Sequence, residues 1–383
     1  MFTKGCVDSL DFDTAFKSLK NMDINNIHLS VHGDSYIAMI ACKAYRINAT
    51  FYRVLCYMKK GMSTEESIYQ VSTELNIDYN VLFDRFSSFI NKDQKDKYES
   101  YIRYKHPIIK ERMVNKIACY LSFFYLRYVF VVLSFVCLIT NIVYFYFNYK
   151  SLESASYHTL EMGVIFFIGY TLSLIIHEMG HAAATVSIGK RAKEIGFGFY
   201  LIFPVFYTDV TSVWNMGKKE RILVSFGGVY FQLIVNVIII GLIYLFPQNA
   251  LIRTLNALVI SNILVVLMSI TPFFRNDGYW ILSDYWEIPN LLKKSDNVLL
   301  NLCFRQRNDY TKKDIKLILF CLTNNMFRVY VFVRLAMNLY QTLIGLIVLN
   351  NQYIKLSVVN IFISIIGMYW ILMNYYKMIR YGN

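Results

Sequence analysis

The chain has 383 residues, 56% of them hydrophobic and 17% aromatic, and a formal charge of +13. Several stretches approach the roughly 20 apolar residues needed to cross a bilayer core of about 30 Å, which excludes a soluble globule and makes this a polytopic α-helical membrane protein. The positive charge collects in segments between those stretches, as cytoplasmic loops do, so membrane lipid is an expected partner and nucleic acid is not.

Residues 1–24 form a polar N-terminal segment without the apolar centre of a secretory signal. Residues 25–95 read as a small α+β domain of winged-helix type. In IHLSVHGDSYIAMIACK (27–43) two apolar runs flank HGDS, the pattern of a β-hairpin. The stretch INATFYRVLCYMKKG (47–61) predicts a helix capped near Asn48 and ended at Gly61. Ser63 and Glu66 then form a capping box, S-x-x-E, at the head of a second helix. Leu82, Phe83, Phe86 and Phe89 continue at helical spacing in a third. Residues 96–127 are basic and aromatic and are expected as an amphipathic connector lying on an anionic leaflet.

Residues 128–383 form the membrane domain, with six expected spans at about 128–147, 162–188, 222–246, 255–272, 329–349 and 357–376. Their connections alternate in charge. Residues 101–127 hold six Lys and Arg, 149–161 one, 189–221 six, the next loop Arg253 alone, 273–328 nine, and the following loop Lys355 alone. Basic loops stay on the cytoplasmic side, so both termini are expected there, in a multi-pass protein of the cell membrane. Two segments do not read as spans. IGFGFYLIFPVFYTDVTSVW (195–214) is apolar but broken by Gly196, Gly198 and Pro204, which suits a membrane-dipping hairpin or strand pair. The polar stretch 284–328 reads as a cytoplasmic insertion.

The second span contains TLSLIIHEMGHAAATV (171–186). Ionisable groups in such a run are costly unless they have partners. HEMGH at 177–181 is H-E-x-x-H: on a helix, His177 and His181 lie one turn apart on one face and can grip one Zn²⁺, with Glu178 placed to act as the catalytic base on water. A catalytic zinc needs a third protein ligand. Asp277, in TPFFRNDGYW (271–280), lies just past the fourth span, and Asp209 in the 195–214 segment is the rival. Span two runs outside to inside and places His177 roughly 20 Å below the outer boundary. Span four runs the same way, so Asp277 emerges on the same cytoplasmic side. His28, His32, His106 and His158 fall outside the expected bundle core and read as surface residues. Seven cysteines with no CxxC pair read as reduced thiols.

HEMGH in one span, a second span, and Asp277-Gly278 at the end of a third together resemble the site-2 protease family of intramembrane zinc metallopeptidases, over about 160–282. The resemblance implies Zn²⁺ held by His177, His181 and Asp277, Glu178 as general base, and the 195–214 element presenting substrate as an added strand. This chain carries GVYFQ at 228–232 where the family often has G-P-x-x-N, so Val229 replaces the proline and Gln232 the asparagine. Gln232 and Asn262 are candidate substrate-binding residues. The departures fit a branch of peptide zinc metalloproteases found beside ribosomally made, modified peptides. Residues 25–95, with YIAMIACKAYRINATFYRVLCYMKKGMSTEE, resemble a PqqD-like peptide-recognition element.

The expected function is therefore zinc-dependent hydrolysis of a peptide bond, in maturation or leader removal of a modified peptide recruited by the N-terminal domain. A site-2-type signalling protease cutting a membrane-anchored regulator is one alternative. A peptide exporter or immunity protein using the histidines structurally is another.

Overall fold

The computed structural model describes residues 28–32, 35–40, 43–95, 102–149, 160–200, 203–214, 216–247, 251–304, 312–348 and 354–381. It divides after Ile270 into two compact units. Among the described residues, five helices are long and apolar enough to cross a membrane: Arg127–Asn148, Glu161–Ser187, Lys218–Leu245, Ile252–Ile270 and Ile315–Gly345. The chain is a multi-pass membrane protein. The sixth expected span, 357–376, lies within a last helix, Ile354–Tyr381, which is not among these five.

The first unit begins with strands β1 (His28–His32), β2 (Ser35–Ile40) and β3 (Lys43–Ile47), an antiparallel meander in the order β1-β2-β3. The hairpin expected over 27–43 is the β1–β2 pair, with His28 opposite Met39 and His32 opposite Ser35. The third strand, KAYRI, was not legible because its two basic residues interrupt the apolar signal. Helix α1 (Ala49–Lys59) starts where Asn48 accepts a hydrogen bond from the Phe51 N–H at 2.7 Å. It stops at Gly61, whose φ of 95° belongs to the left-handed region that glycine tolerates. Helix α2 (Thr64–Leu75) has its capping box: the Glu66 N–H donates to Ser63 Oγ and the Ser63 N–H to Glu66 Oε2. With α3 (Tyr79–Lys95), these elements close over Val54, Leu55, Met58, Ile68, Val71, Leu82, Phe83 and Phe86. The side chain of Phe89 lies outside the described residues, as does all of His158.

The connector expected over 96–127 carries more structure than a surface helix. Strand β4 (Ile102–Ile109) joins β5 (Ile195–Tyr200) and β6 (Phe203–Thr208) in an antiparallel sheet of order β4-β5-β6. The 195–214 segment is thus a strand pair closed by a short 3₁₀ turn at Thr211–Val213, with an added strand drawn from 90 residues upstream. Helix α4 (Glu111–Leu121) buries Val114 and Ala118 against the residues of the second span. The Asn115 amide fixes it there, donating to the Ala192 carbonyl at 2.6 Å and accepting from the Ala192 N–H at 3.1 Å.

Four helices complete this unit: α5 (Arg127–Asn148), α6 (Leu160–Ser187), α7 (Lys218–Leu245) and α8 (Ile252–Ile270). Small residues let α6 and α7 meet at backbone distance, the mode by which helices associate without a hydrophobic drive in lipid. A Cβ on Gly180 would lie 2.3 Å from the Gly227 carbonyl oxygen, and one on Gly227 would lie 2.7 Å from that of Gly180. The Tyr125 hydroxyl donates to the Gly180 carbonyl at 2.9 Å and lies 3.4 Å from that of Gly227, capping the contact. Buried amides tie α5 in: Asn141 donates to the Leu233 carbonyl, and Asn236 donates to Asn141 Oδ1.

The second unit holds α9 (Asp277–Trp286), α10 (Leu291–Phe304), α11 (Lys312–Val348) and α12 (Ile354–Tyr381). Tyr279, Leu291, Val298, Leu317 and Phe320 form its core. The stretch 284–328 is not set off from the fifth span: α11 runs unbroken through position 328. No Gly or Pro lies between 312 and 344 to stop it, and Arg328 is paired with Asp296 at 2.9 Å.

Candidate metal and peptidase site

The centre of the first unit is the last third of α6. Helical spacing puts His177 and His181 on one face, and both rings are 8% exposed. Their outer nitrogens are fixed from α7. His177 Nδ1 lies 3.0 Å from Gln232 Oε1, and His181 Nδ1 lies 2.7 Å from the Val224 carbonyl oxygen. Both partners are acceptors, so each Nδ1 carries the proton and each Nε2 carries a lone pair. The two Nε2 atoms are 3.3 Å apart. Two lone pairs turned on each other at that distance repel, and a cation held by both relieves them. An imidazole whose other nitrogen donates to a carbonyl or amide oxygen is the usual dress of a metal ligand.

The space before the rings is kept open by a glycine. A Cβ on Gly228 would lie 2.4 Å from His177 Nε2 and 2.5 Å from His181 Nε2. Position 228 therefore faces the nitrogen pair with nothing but backbone. The donor set, its orientation and this clearance all fit a borderline-soft divalent ion such as Zn²⁺.

Glu178 is partly buried beside the pair, and its Oε2 accepts a hydrogen bond from the Thr208 hydroxyl at 2.8 Å. The same hydroxyl lies 2.8 Å from the Glu178 carbonyl oxygen. Thr208 ends β6, so the strand terminates against the carboxylate. The sheet is locked at this point: Lys193 N–H donates to the Asp209 carbonyl and Asp209 N–H to the Glu194 carbonyl, both at 2.9 Å. The Tyr207 hydroxyl donates to Glu194 at 2.8 Å; burial, then that bond, pushes its pKa well above the ordinary phenol value.

The expected residues are distributed as follows. His177, Glu178, His181 and Gln232 meet in the first unit. Gln232 is fully buried, with its Oε1 on His177 Nδ1 and no hydrogen-bond partner for its Nε2 among the described residues. Asn262 is fully buried on α8, with neither side-chain polar atom hydrogen-bonded among the described residues. Asp277 opens α9 of the second unit, at the head of a helix and not in a simple N-D-G turn. Asp209, the rival ligand, is occupied locally: its Oδ1 accepts from the Thr211 N–H at 3.0 Å and its Oδ2 lies 3.8 Å from Lys193 Nζ. Thr208, Gly228 and the Val224 carbonyl were not anticipated. Only the glycine left a trace, in the GVYFQ stretch. Among the described cysteines, Cys56, Cys119, Cys137 and Cys321 are free thiols.

No family model matches the chain, and no solved structure matches it either. It is similar to a protein of Bacillus subtilis (strain 168) whose name reads "Putative peptide zinc metalloprotease protein YydH": the two are 26% identical over 226 residues, which is 58% of this chain and 82% of that protein.

Proposed function

We propose that this chain is a membrane-embedded zinc metalloprotease of the site-2 type that hydrolyses a peptide bond in a ribosomally made, modified peptide or its leader. The observation that carries the reading is the His177–His181 pair, its Nε2 atoms 3.3 Å apart with the acid Glu178 between them in sequence. The name of the Bacillus relative supports both the metal and the reaction class. Asp277 is the third ligand in this reading, since a catalytic zinc takes three protein ligands and a carboxylate serves beside two imidazoles.

Bound Zn²⁺ polarises a carbonyl and brings the pKa of water toward neutrality. Glu178 takes the proton from the attacking water and passes it to the departing amine, with the Thr208 hydroxyl holding its carboxylate. Gln232 and the Val224 carbonyl keep both imidazoles in the tautomer that offers Nε2. A substrate helix has its peptide groups engaged and must open before cleavage. Strand β6 has β5 on one side and no described strand on the other, so an extended peptide can add there and be led to Glu178. In this reading, residues 25–95 recruit the leader, and both termini are cytoplasmic.

The test uses full-length protein in lipid nanodiscs, with zinc content and cleavage of the precursor peptide followed together. Wild type should carry about one zinc per chain and cut. Glu178→Gln should retain zinc and lose cleavage by about 100-fold or more. Asp277→Asn should lose zinc. Undiminished cleavage by Glu178→Gln would end the proposal, and cleavage of a membrane-anchored regulator but not of a leader would end its maturation part.

A further inference from the structure

Buried polar side-chain atoms nearly always have hydrogen-bond partners, so a cluster that lacks them points to a ligand. Three such side chains stand one on each of α6, α7 and α8. Ser173 is 1% exposed, and Asn262 and Gln232 are fully buried. Ser173 Oγ, both polar atoms of Asn262 and Gln232 Nε2 have no hydrogen-bond partner among the described residues.

The helix register brings them to one level. Ser173 stands one turn before His177 on α6, and Gly169 one turn before that. A Cβ on Gly169 would lie 2.9 Å from Leu258 Cδ2, so α6 and α8 touch there. Helix α7 runs antiparallel to α6, since His177 meets Gln232 and His181 meets the earlier Val224. Helix α8 follows α7 after a short loop, and so runs parallel to α6. One turn on from the Gly169–Leu258 contact, Ser173 and Asn262 face the same layer of the bundle. Gln232 reaches that layer too, its Oε1 on His177 and its Nε2 turned elsewhere.

We propose that Ser173 and Asn262, flanked by Gln232 Nε2, form a subsite that hydrogen-bonds the substrate backbone beyond the scissile bond, on the membrane-ward side of His177. The inference rests on the peptidase reading. Strand β6 ends at Thr208, beside Glu178, so a peptide led along the sheet loses its strand partner at the point of cleavage. Its next peptide groups would still lie in an apolar bundle, where each unmet N–H or C=O is costly. Asn262 presents one donor direction and one acceptor direction, as a neighbouring strand does; Ser173 offers either, and Gln232 Nε2 a donor.

The experiment compares wild type, Asn262→Leu and Ser173→Ala in full-length protein, measuring zinc content, melting temperature and kcat/KM. The probes are a peptide substrate and analogues in which single peptide bonds beyond the cleavage point are replaced by esters, removing one N–H each. Asn262→Leu should keep its zinc, melt no lower than wild type, and lose about 5- to 150-fold in kcat/KM, the range for one buried hydrogen bond. One ester analogue should be cut more slowly by wild type, with that penalty gone in one of the two variants. Ser173→Ala provides the same comparison should Asn262→Leu fail to fold. A variant that melts lower and cuts at the wild-type rate would show structural residues and overturn the proposal. So would an ester penalty unchanged in both variants, the outcome expected if ordered water alone fills the layer. A wild type that carries zinc and cuts nothing would instead fail the peptidase reading, before any variant is compared.

Discussion

Gly228→Ala is the sharpest perturbation of the proposed centre, because it adds one methyl group to the face that both imidazoles share. The new carbon would lie 2.4 Å from His177 Nε2, against an ordinary contact of 3.4 Å or more, so the rings must retreat by about 1 Å. They are tied to the same helix that carries the glycine. A 1 Å retreat stretches the 3.0 Å bond to Gln232 and the 2.7 Å bond to the Val224 carbonyl beyond useful length. Two lost hydrogen bonds at about 0.5–1.5 kcal/mol each and an overpacking cost of about 1–3 kcal/mol stand against a helix-propensity gain of about 1 kcal/mol, a net destabilisation of about 1–5 kcal/mol. The functional effect should be larger. An ion held by both Nε2 atoms would need the space the methyl claims, so the two would exclude each other. Metal analysis of protein purified from zinc-replete cells, with a melting curve and a cleavage assay, tests this. Gly241→Ala is the control: it lies on the same helix with nothing within 4 Å of the added carbon, and should leave zinc and activity intact. A Gly228→Ala protein with stoichiometric zinc and wild-type turnover would refute the geometry.

Further outcomes follow from named contacts. Thr208→Val removes the hydroxyl on the Glu178 carboxylate; a bond to a charged group is worth about 1.5–3 kcal/mol, so kcat should fall by about 10- to 100-fold with zinc unchanged. Gln232→Leu leaves His177 Nδ1 without its acceptor and should weaken zinc affinity by about 10- to 100-fold in a competition titration with a chelator. Tyr125→Phe deletes the cap on the Gly180–Gly227 crossing and should cost about 1 kcal/mol in a denaturation series without altering metal content. The Glu66 carboxyl is held below its ordinary range by the Ser63 N–H and then the Ser63 hydroxyl. A depressed carboxylate stabilises the fold above its unfolded pKa and stops doing so as pH falls through the folded value. Amide exchange in the first turn of α2 should therefore accelerate on acidification through the carboxylate range in wild type, and show no such step in Glu66→Gln, which has no carboxyl to protonate.

Local rules account for what could be read without coordinates. The caps at Asn48 and Ser63 involve partners three residues away, and the structure has both. The histidine pair is legible for the same reason, since spacing along one helix fixes which side chains share a face. Length and apolarity expose the spans, while their ends are softer: the helix expected to begin near 329 starts at Lys312, because a charge with an ion-pair partner does not interrupt a helix. Strand β4 was hidden by its composition. Basic and aromatic residues alternate through IRYKHPII, and only pairing with Ile195–Tyr200 gives that pattern a sheet.

The sequence by itself determined that the chain is a membrane protein carrying a histidine pair and an acid on one helix, because each of those properties depends on residues within a few turns of one another. Tertiary structure alone decided that Gln232 and the Val224 carbonyl set the imidazole tautomers, that Gly228 leaves room before them, and that Thr208 holds Glu178. These contacts join residues 30 to 55 positions apart. No periodicity encodes them, since they exist only once the helices have packed and the strand pair has closed against α6.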